Sequence, residues 1–346
     1  MVTHVCQKPT FRPIFIVGAS RSGTTMLNRV LGNHSAVLGL NELHFFGTMW
    51  DPYSQPRVLS TEEAIRIGAY LLARIRRGVW GGEADKQDIA DAQKLLMAKD
   101  NSQWTAPLVF EHVLQEEARI NGATHVTEQT GRNLFYAHKL LELYPDARVI
   151  HLVRDPRAIL FSQKNRWRKN RLGTKVPLTN VLRVFVNYHP FTITKLWKKS
   201  AEIAQTLDTN SRYLRLFYEN LVSKPDESVR ALCQFLGLEF ETNMLSVPQV
   251  GSSIKAHNME KLGLSAEFAN QWRGRLPRSD IAVCEFLAKD AMHQFGYDFY
   301  LKHPHYLSML GPLIKFPFHA FGAILINPKT VLLYMRSIIR LYRRIL

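Results

Sequence analysis

Cysteine is scarce: Cys6, Cys233 and Cys284 are the three in 346 residues. They stand far apart with no metal-ligand spacing, which excludes a zinc ribbon or a disulfide framework and reads as ordinary thiols in a reducing compartment. A long early hydrophobic run is also missing. The first apolar stretch, Ile14–Val17, is too short for the core of a secretory signal, so a cytoplasmic location is expected. Internal repeats and low-complexity tracts are absent, which excludes solenoid and linker-like architectures. Acidic residues are few: 29 Asp+Glu against 45 Lys+Arg leave a formal charge of +16. That surplus suits an anionic partner such as a nucleotide, a nucleic acid or a membrane surface, and it equally fits a solvated basic surface.

Hydrophobic residues make up 46% of the chain, enough for one large α/β domain or two smaller ones. Pro13–Val17 is apolar, β-branched and aromatic, and Gly18 closes it, which predicts a buried strand. Further strands are expected at 36–40, 124–127, 148–153 and 213–217. Helical patterns fall at 23–33, 61–77, 86–98, 107–120, 133–143, 156–169, 178–207 and 225–236. This alternation implies a mainly parallel sheet covered on both faces, with the mostly helical stretch 43–123 as an insertion beside it.

The sharpest local signal is Gly18-Ala-Ser-Arg-Ser-Gly23-Thr24-Thr25. A strand ends at a glycine, a small polar loop follows, and a second glycine opens a helix. Such a loop aims backbone N–H groups at one point, where the helix dipole also favours an anion. The spacing is that of a P-loop, but Thr24 fills the slot where a nucleoside-triphosphate enzyme has its phosphate-binding lysine. Arg21 carries the positive charge instead. A bare strand-to-helix turn would need neither the arginine nor the paired threonines.

Arg21-Ser-Gly-Thr-Thr25 resembles the 5′-phosphosulfate loop of sulfotransferases that use PAPS (3′-phosphoadenosine-5′-phosphosulfate). The arginine version is similar to that of tyrosylprotein and carbohydrate sulfotransferases and their bacterial relatives. Val149-Ile-His-Leu-Val-Arg154-Asp-Pro-Arg157-Ala through Ser162 resembles the family's 3′-phosphate site, where a strand delivers an arginine and a serine follows eight positions later. Tyr218 to Asp226 with Phe235–Leu238, and Trp272–Leu276 with Phe295–Asp298, resemble the segments that follow. The resemblance covers about residues 13–300. It implies a P-loop-type three-layer α/β fold with a central mainly parallel sheet, a sulfotransferase domain over 1–300 and a separate basic apolar tail over 301–346. It also implies donor contacts from Arg21, Ser22, Gly23, Thr24, Thr25, Arg154 and Ser162, with Tyr218 near the nucleotide. Ser253, just before Ile254-Lys255, stands where relatives place a donor-contacting serine. PAPS is then the donor, PAP (3′-phosphoadenosine-5′-phosphate) the product, and no metal is called for.

Two anion sites suit this chemistry, because ATP lacks the 3′-phosphate that Arg154 would bind with charge-assisted hydrogen bonds. Sulfuryl transfer needs an oxygen nucleophile, a base for its proton and positive charge at the transferring group. Glu42 follows the second predicted strand, twenty-one positions after Arg21, the same interval as to the catalytic glutamate of tyrosylprotein sulfotransferases. His44 is the competing base, since the cytosolic branch of the family uses histidine. One departure is the segment Glu128-Gln129-Thr130-Gly131-Arg132-Asn133, where relatives often carry a lysine at the second position. Arg132 or Arg21 would have to supply that charge.

Between Leu301 and Leu346 there is no Asp or Glu. Residues 306–326 are mostly apolar, but Lys315, Pro312 and Pro317 argue against a clean membrane span. Arg336, Arg340, Arg343 and Arg344 share one face of a final helical pattern, with Leu333, Ile338, Leu341 and Ile345 opposite. This reads either as an interfacial helix on anionic lipid or as a helix packed on the protein or in a homodimer. A P-loop nucleotide kinase or NTPase is the alternative activity, disfavoured by Thr24 and by the lack of an acidic strand end for magnesium. A non-catalytic module binding nucleic acid or membrane is the third reading. Nucleic acid is not expected as a partner, since aromatics do not interleave with the basic stretch 154–175.

Overall fold

Why Pro13–Val17 folds as strand β1 is visible in its burial: all five residues are shut away from solvent, as a strand covered on both faces must be. A computed structural model describes residues 11–79, 81–98, 103–165, 182–183, 185–248, 262–303 and 306–326. After β1 come α1 (Thr24–Gly32), β2 (Val37–Gly39), α2 (Thr61–Arg77), α3 (Lys86–Met97), α4 (Ala106–Ile120) and β3 (His125–Glu128). A short 3-10 turn (Gly131–Tyr136) leads into α5 (Ala137–Leu143), then β4 (Arg148–Val153), α6 (Pro156–Lys164), α7 (Pro190–Leu207) and β5 (Tyr213–Phe217). The chain continues through α8 (Tyr218–Ser223), α9 (Pro225–Leu236), α10 (Arg278–Leu287), α11 (Lys289–Gln294) and α12 (Tyr306–Ile326).

The strands form one five-stranded sheet in the order β2-β3-β1-β4-β5, with every pairing parallel. The expected mainly parallel sheet is therefore wholly parallel among the described residues, and the expected insertion is present as α2, α3 and α4. Parallel pairing has a functional consequence: every strand ends on the same edge, so the loops after β1, β2, β3, β4 and β5 gather there.

The chain divides into two units. The first holds Met1–Arg154, Ile203–Gln249 and Glu260–Ala266, and so the whole sheet. Its core is aromatic around Phe110 of α4, whose ring lies 4.9 Å from Phe46 and 5.0 Å from Phe45. Phe45, Phe46 and Leu43 are fully buried, which pins the loop after β2 to the body from three points. The Tyr70 hydroxyl on α2 donates to the Leu43 carbonyl at 3.0 Å and adds a fourth. The second unit holds Asp155–Glu202, Val250–Met259 and Glu267–Leu346. At its centre the buried Arg157 guanidinium sits between Asp155, at 2.9 Å, and Glu285, at 2.7 Å, with its face 4.3 Å from the Trp272 ring. Glu285 in turn accepts from the Tyr300 N–H at 2.7 Å, so α6, α10 and the 298–301 segment are tied together. Within the same unit, α12 runs unbroken through Pro312 and Pro317, where the sequence predicted a weakened helix.

Two buried histidines in the sheet make the first unit acid-sensitive. His151 on β4 lies 2.8 Å from the Tyr213 hydroxyl on β5, and burial, helped by the Arg215 charge, pushes its imidazole down to about 3. Burial likewise lowers His125 on β3 to about 4. An unfolded histidine takes up its proton near pH 6.5, whereas these remain neutral until well below that. Stability is thus fully present above pH 6.5 and falls as the pH drops, by up to about 1.4 kcal/mol per pH unit for each residue. Urea unfolding at pH 7.5, 6.0 and 5.0 should show this loss, with a shallower slope for His151→Gln. An unchanged slope in that variant would remove His151 from the account.

Candidate active site

The loop after β1 closes on itself. The Ser22 N–H donates to the Ala19 carbonyl at 3.0 Å, and the buried Ser22 hydroxyl donates to the same oxygen at 2.6 Å. Gly18 donates its N–H to the Gly131 carbonyl at 3.1 Å, which fastens the loop to the segment after β3. A side chain at Gly18 would start 2.6 Å from the Leu152 carbonyl, so the approach of β4 requires glycine there. Gly23 caps α1 at φ 105° and offers no side chain to the first turn. With no acidic residue in that turn, the half-buried Thr24 and exposed Thr25 sit at an amide-rich, dipole-positive end suited to an anion.

Arg154, just past β4, folds back over this loop. Its Nη1 donates to the Arg21 carbonyl at 3.1 Å, and its guanidinium lies 4.0 Å from the centre of the Tyr218 ring. Tyr218 opens α8 directly after β5, and an added Cβ on Gly23 would come within 2.9 Å of the same ring. Burial pushes the Tyr218 phenol up, while the charges of Arg154 and Arg21 oppose that shift. Arg21, Gly23, Arg154 and Tyr218 therefore converge from the ends of β1, β4 and β5.

The loop after β2 brings the two rival bases together. His44 Nε2 lies 2.9 Å from Glu42 Oε2, and both side chains stay partly exposed. His44 has φ 51° and Arg21 has φ 78°; they are the two non-glycine residues with positive φ among the described residues. Backbone held in so sparsely populated a region persists where its surroundings over-determine it. For His44 the surroundings are explicit. Its N–H donates to Thr130 Oγ1 at 3.1 Å, and the neighbouring Leu43 N–H donates to Glu128 Oε1 at 3.0 Å.

Glu128 ends β3 and is the residue that sequence reasoning passed over. Its fully buried carboxylate accepts from the Leu43 N–H, the Thr130 N–H at 3.0 Å, the Thr130 hydroxyl, and Asn133 Nδ2 at 2.5 Å. Burial pushes its carboxyl up; the hydrogen bonds from Thr130 and Leu43 and the charge of His44 pull the other way. The available signal was an acid at the end of an otherwise buried strand, followed by Thr130 and Asn133.

Gln129, at the position where a lysine was expected, is buried, and its Oε1 has no hydrogen-bond partner among the described residues. The Arg132 guanidinium donates to Thr48 Oγ1 and, at 3.4 Å, to the Phe46 carbonyl, both in the loop after β2. Ser162 is buried on α6 in the second unit. Ser253 and the arginine-faced segment 336–344 lie outside the described residues.

Comparison with known proteins gives the following likenesses. The profile described as "Sulfotransferase family" matches residues 13–242. The chain is 24% identical over 305 residues to protein-tyrosine sulfotransferase 2 of Gallus gallus, a match covering 85% of this chain and 71% of that protein. It is 29% identical over 161 residues to carbohydrate sulfotransferase 4 of Mus musculus, covering 43% of this chain and 41% of that protein. The fold resembles the sulfotransferase domain of the Synechococcus PCC 7002 olefin synthase, with a TM-score of 0.54 and 20% identity over 85% of this chain and 97% of that domain.

The role of Glu128 can be read from two substitutions. Glu128→Ala leaves the buried Leu43 and Thr130 N–H groups without an acceptor, a loss of about 1–3 kcal/mol for each. Glu128→Gln keeps the acceptor. Its amide can donate to Asn133 once that side chain flips, because Asn133 Oδ1 has no partner among the described residues. Urea denaturation should find the alanine variant several kcal/mol less stable and the glutamine variant within about 1 kcal/mol of the parent. Equal losses would mean that the charge, not the hydrogen-bond pattern, holds these loops.

Proposed function

Since this chain belongs to the sulfotransferase family and its reaction is sulfuryl transfer, we propose that PAPS is its donor, that a hydroxyl compound of lipid or carbohydrate type is its acceptor, and that Glu42 is the general base. The observation that carries this reading is the convergence of Arg21 and Arg154 on the glycine-bounded loop, with the Arg154 guanidinium 4.0 Å over Tyr218. One arginine stands by the 5′-phosphosulfate end of the donor. The other, at the end of β4, serves the 3′-phosphate, with Ser162 assigned to the same phosphate and Ser253 to the donor.

The acceptor oxygen attacks sulfur in line. A new O–S bond forms as the bond from sulfur to the 5′-phosphate oxygen breaks, and that electron pair leaves with PAP. The amide-rich start of α1 and Arg21 stabilise the charge gathering on the leaving oxygen. The acceptor proton passes to Glu42. His44 holds Glu42 Oε2 from 2.9 Å, which leaves Oε1 for the acceptor hydroxyl. The protein and substrate groups supply the electrostatics, and no metal ion is assigned a step.

The chain is assigned to the cytoplasm, consistent with the buried free thiols Cys233 and Cys284, with peripheral membrane contact through the basic apolar region 301–346. Residues 1–300 are assigned as the sulfotransferase domain.

Calorimetry in the presence of a chelator tests the donor assignment. PAP should bind, and Arg154→Ala should weaken it by about 1.5–3 kcal/mol, the range for a hydrogen bond to a charged group. ADP, which lacks the 3′-phosphate, should lose almost nothing. Equal affinity for PAP and ADP in the parent protein would remove the 3′-phosphate site.

Turnover of labelled PAPS with an extract of acceptors tests the base. Glu42→Gln should lower the rate by roughly 10²–10⁴-fold at unchanged PAP affinity, the usual contribution of a general base. His44→Asn should cost less, through a looser Glu42. A near-normal Glu42→Gln enzyme beside an inactive His44→Asn enzyme would reverse the assignment.

A further inference from the structure

Helix α12 is apolar on the wrong side for a soluble protein. Its inward face packs within the second unit. Met309 is buried against Ala282 and Val283 of α10, with Phe191, Leu287 and Leu301 around them. The His189 ring reaches the Pro312 carbonyl at 3.0 Å and lies 5.0 Å from Phe316 and 5.4 Å from His319. His319 approaches the Val186 carbonyl at 3.4 Å, and Gly322 lies against the Val186 side chain. Positions 309, 312, 316, 319 and 322 thus share one face, as the helical repeat requires.

The opposite face carries Leu307, Leu310, Ile314, Phe318, Phe321 and Leu325, spaced three or four residues apart and between 51% and 84% exposed. An ordinary surface helix puts its apolar stripe inward and its charges outward. Here His319 and Pro312 face in beside Met309 and Phe316, while six large apolar side chains face out. Lys315 is the one Lys, Arg, Asp or Glu on the helix, and its stem is long enough to bring the ammonium to a polar boundary.

Charge selects the occupant of this face. Residues 301–346 contain no Asp or Glu but hold Lys302, Lys315, Lys329, Arg336, Arg340, Arg343 and Arg344. A surface that is both apolar and anionic complements such a segment, and a bilayer rich in anionic lipid is that surface. By length and composition α12 could cross a membrane. Its inward face, however, is occupied by α10 and the 186–191 segment from Met309 to Gly322, with two histidines in the contact. A helix so held cannot be surrounded by lipid.

We propose that α12 is a monotopic docking element: it lies in the membrane plane and sinks Leu307, Leu310, Ile314, Phe318, Phe321 and Leu325 into the headgroup–acyl boundary of an anionic bilayer. This rests on the peripheral membrane contact assigned above, and it moves the embedded element from the arginine-faced terminus to α12.

Flotation of the full chain with vesicles of phosphatidylcholine, with and without phosphatidylglycerol, tests the proposal. The parent should float with the anionic vesicles. The double substitution Phe318→Ser with Phe321→Ser, both exposed, should weaken partitioning by on the order of a hundredfold, since each aromatic ring burial is worth more than tenfold. Unchanged PAP affinity would show that the variant is folded. If instead removal of 327–346 abolishes flotation and the double variant floats normally, α12 is not the embedded element, although the membrane contact stands. If the parent floats with neither vesicle, both the proposal and the membrane contact fall. If in addition sedimentation shows a dimer that the double variant dissociates, the face is a contact between copies of this chain.

Discussion

A carboxylate shut inside a protein must have its lone pairs satisfied, and Glu128 meets that demand with groups from three pieces of chain. Leu43 comes from the loop after β2, Thr130 from the loop after β3, and Asn133 from the turn beyond it. Gly131, between Thr130 and Asn133, takes the Gly18 N–H. The phosphate-type loop, the loop with Glu42 and His44 and the exit of β3 are therefore one hydrogen-bonded assembly. Displacing any of them would leave a buried polar group without a partner. The positive φ of His44 is held in this assembly, beside the packed rings of Phe45, Phe46 and Phe110.

The all-parallel sheet supplies the other half of the arrangement. Three adjacent strands, β1, β4 and β5, end with Gly18, Arg154 and Tyr218 close by, so an anion-binding loop, a cation and an aromatic plate meet without any long excursion of the chain. Neither strand order nor loop contact is local in sequence: the Arg154–Arg21 bond spans 133 positions. Parallel topology turns that separation into proximity, because each crossover returns the chain to the same edge.

Much of this was legible in the sequence. Buried parallel strands are nearly continuous apolar runs, so Pro13–Val17 and Arg148–Val153 announced themselves, and the half-buried edge strand Tyr213–Phe217 showed as large apolar residues around Arg215. The insertion helices showed clear periodicity, and Ser60 with Glu63 forms the capping box that starts α2. The glycine-bounded loop could be read because its glycines answer to sterics that leave few alternatives. What could not be read was contact. Glu42 and His44 looked like competitors for one role, and only the left-handed turn at His44 places them 2.9 Å apart. Glu128 looked like any polar letter, since burial depends on what the insertion covers. Pro312 and Pro317 argued against a clean membrane span, and α12 runs continuously through both, supported along one side by α10 and His189.

The contact between Gly23 and Tyr218 has an evolutionary side. Glycine at the start of α1 answers to two constraints at once, its φ of 105° and the ring of a residue 195 positions away that leaves no room for a Cβ. Losing the tyrosine would relax only the second. Losing the glycine would force the ring to shift, and with it the contact to the Arg154 guanidinium 4.0 Å from its centre. A change at either position therefore has to be met at the other, and the glycine alone also answers to a positive φ.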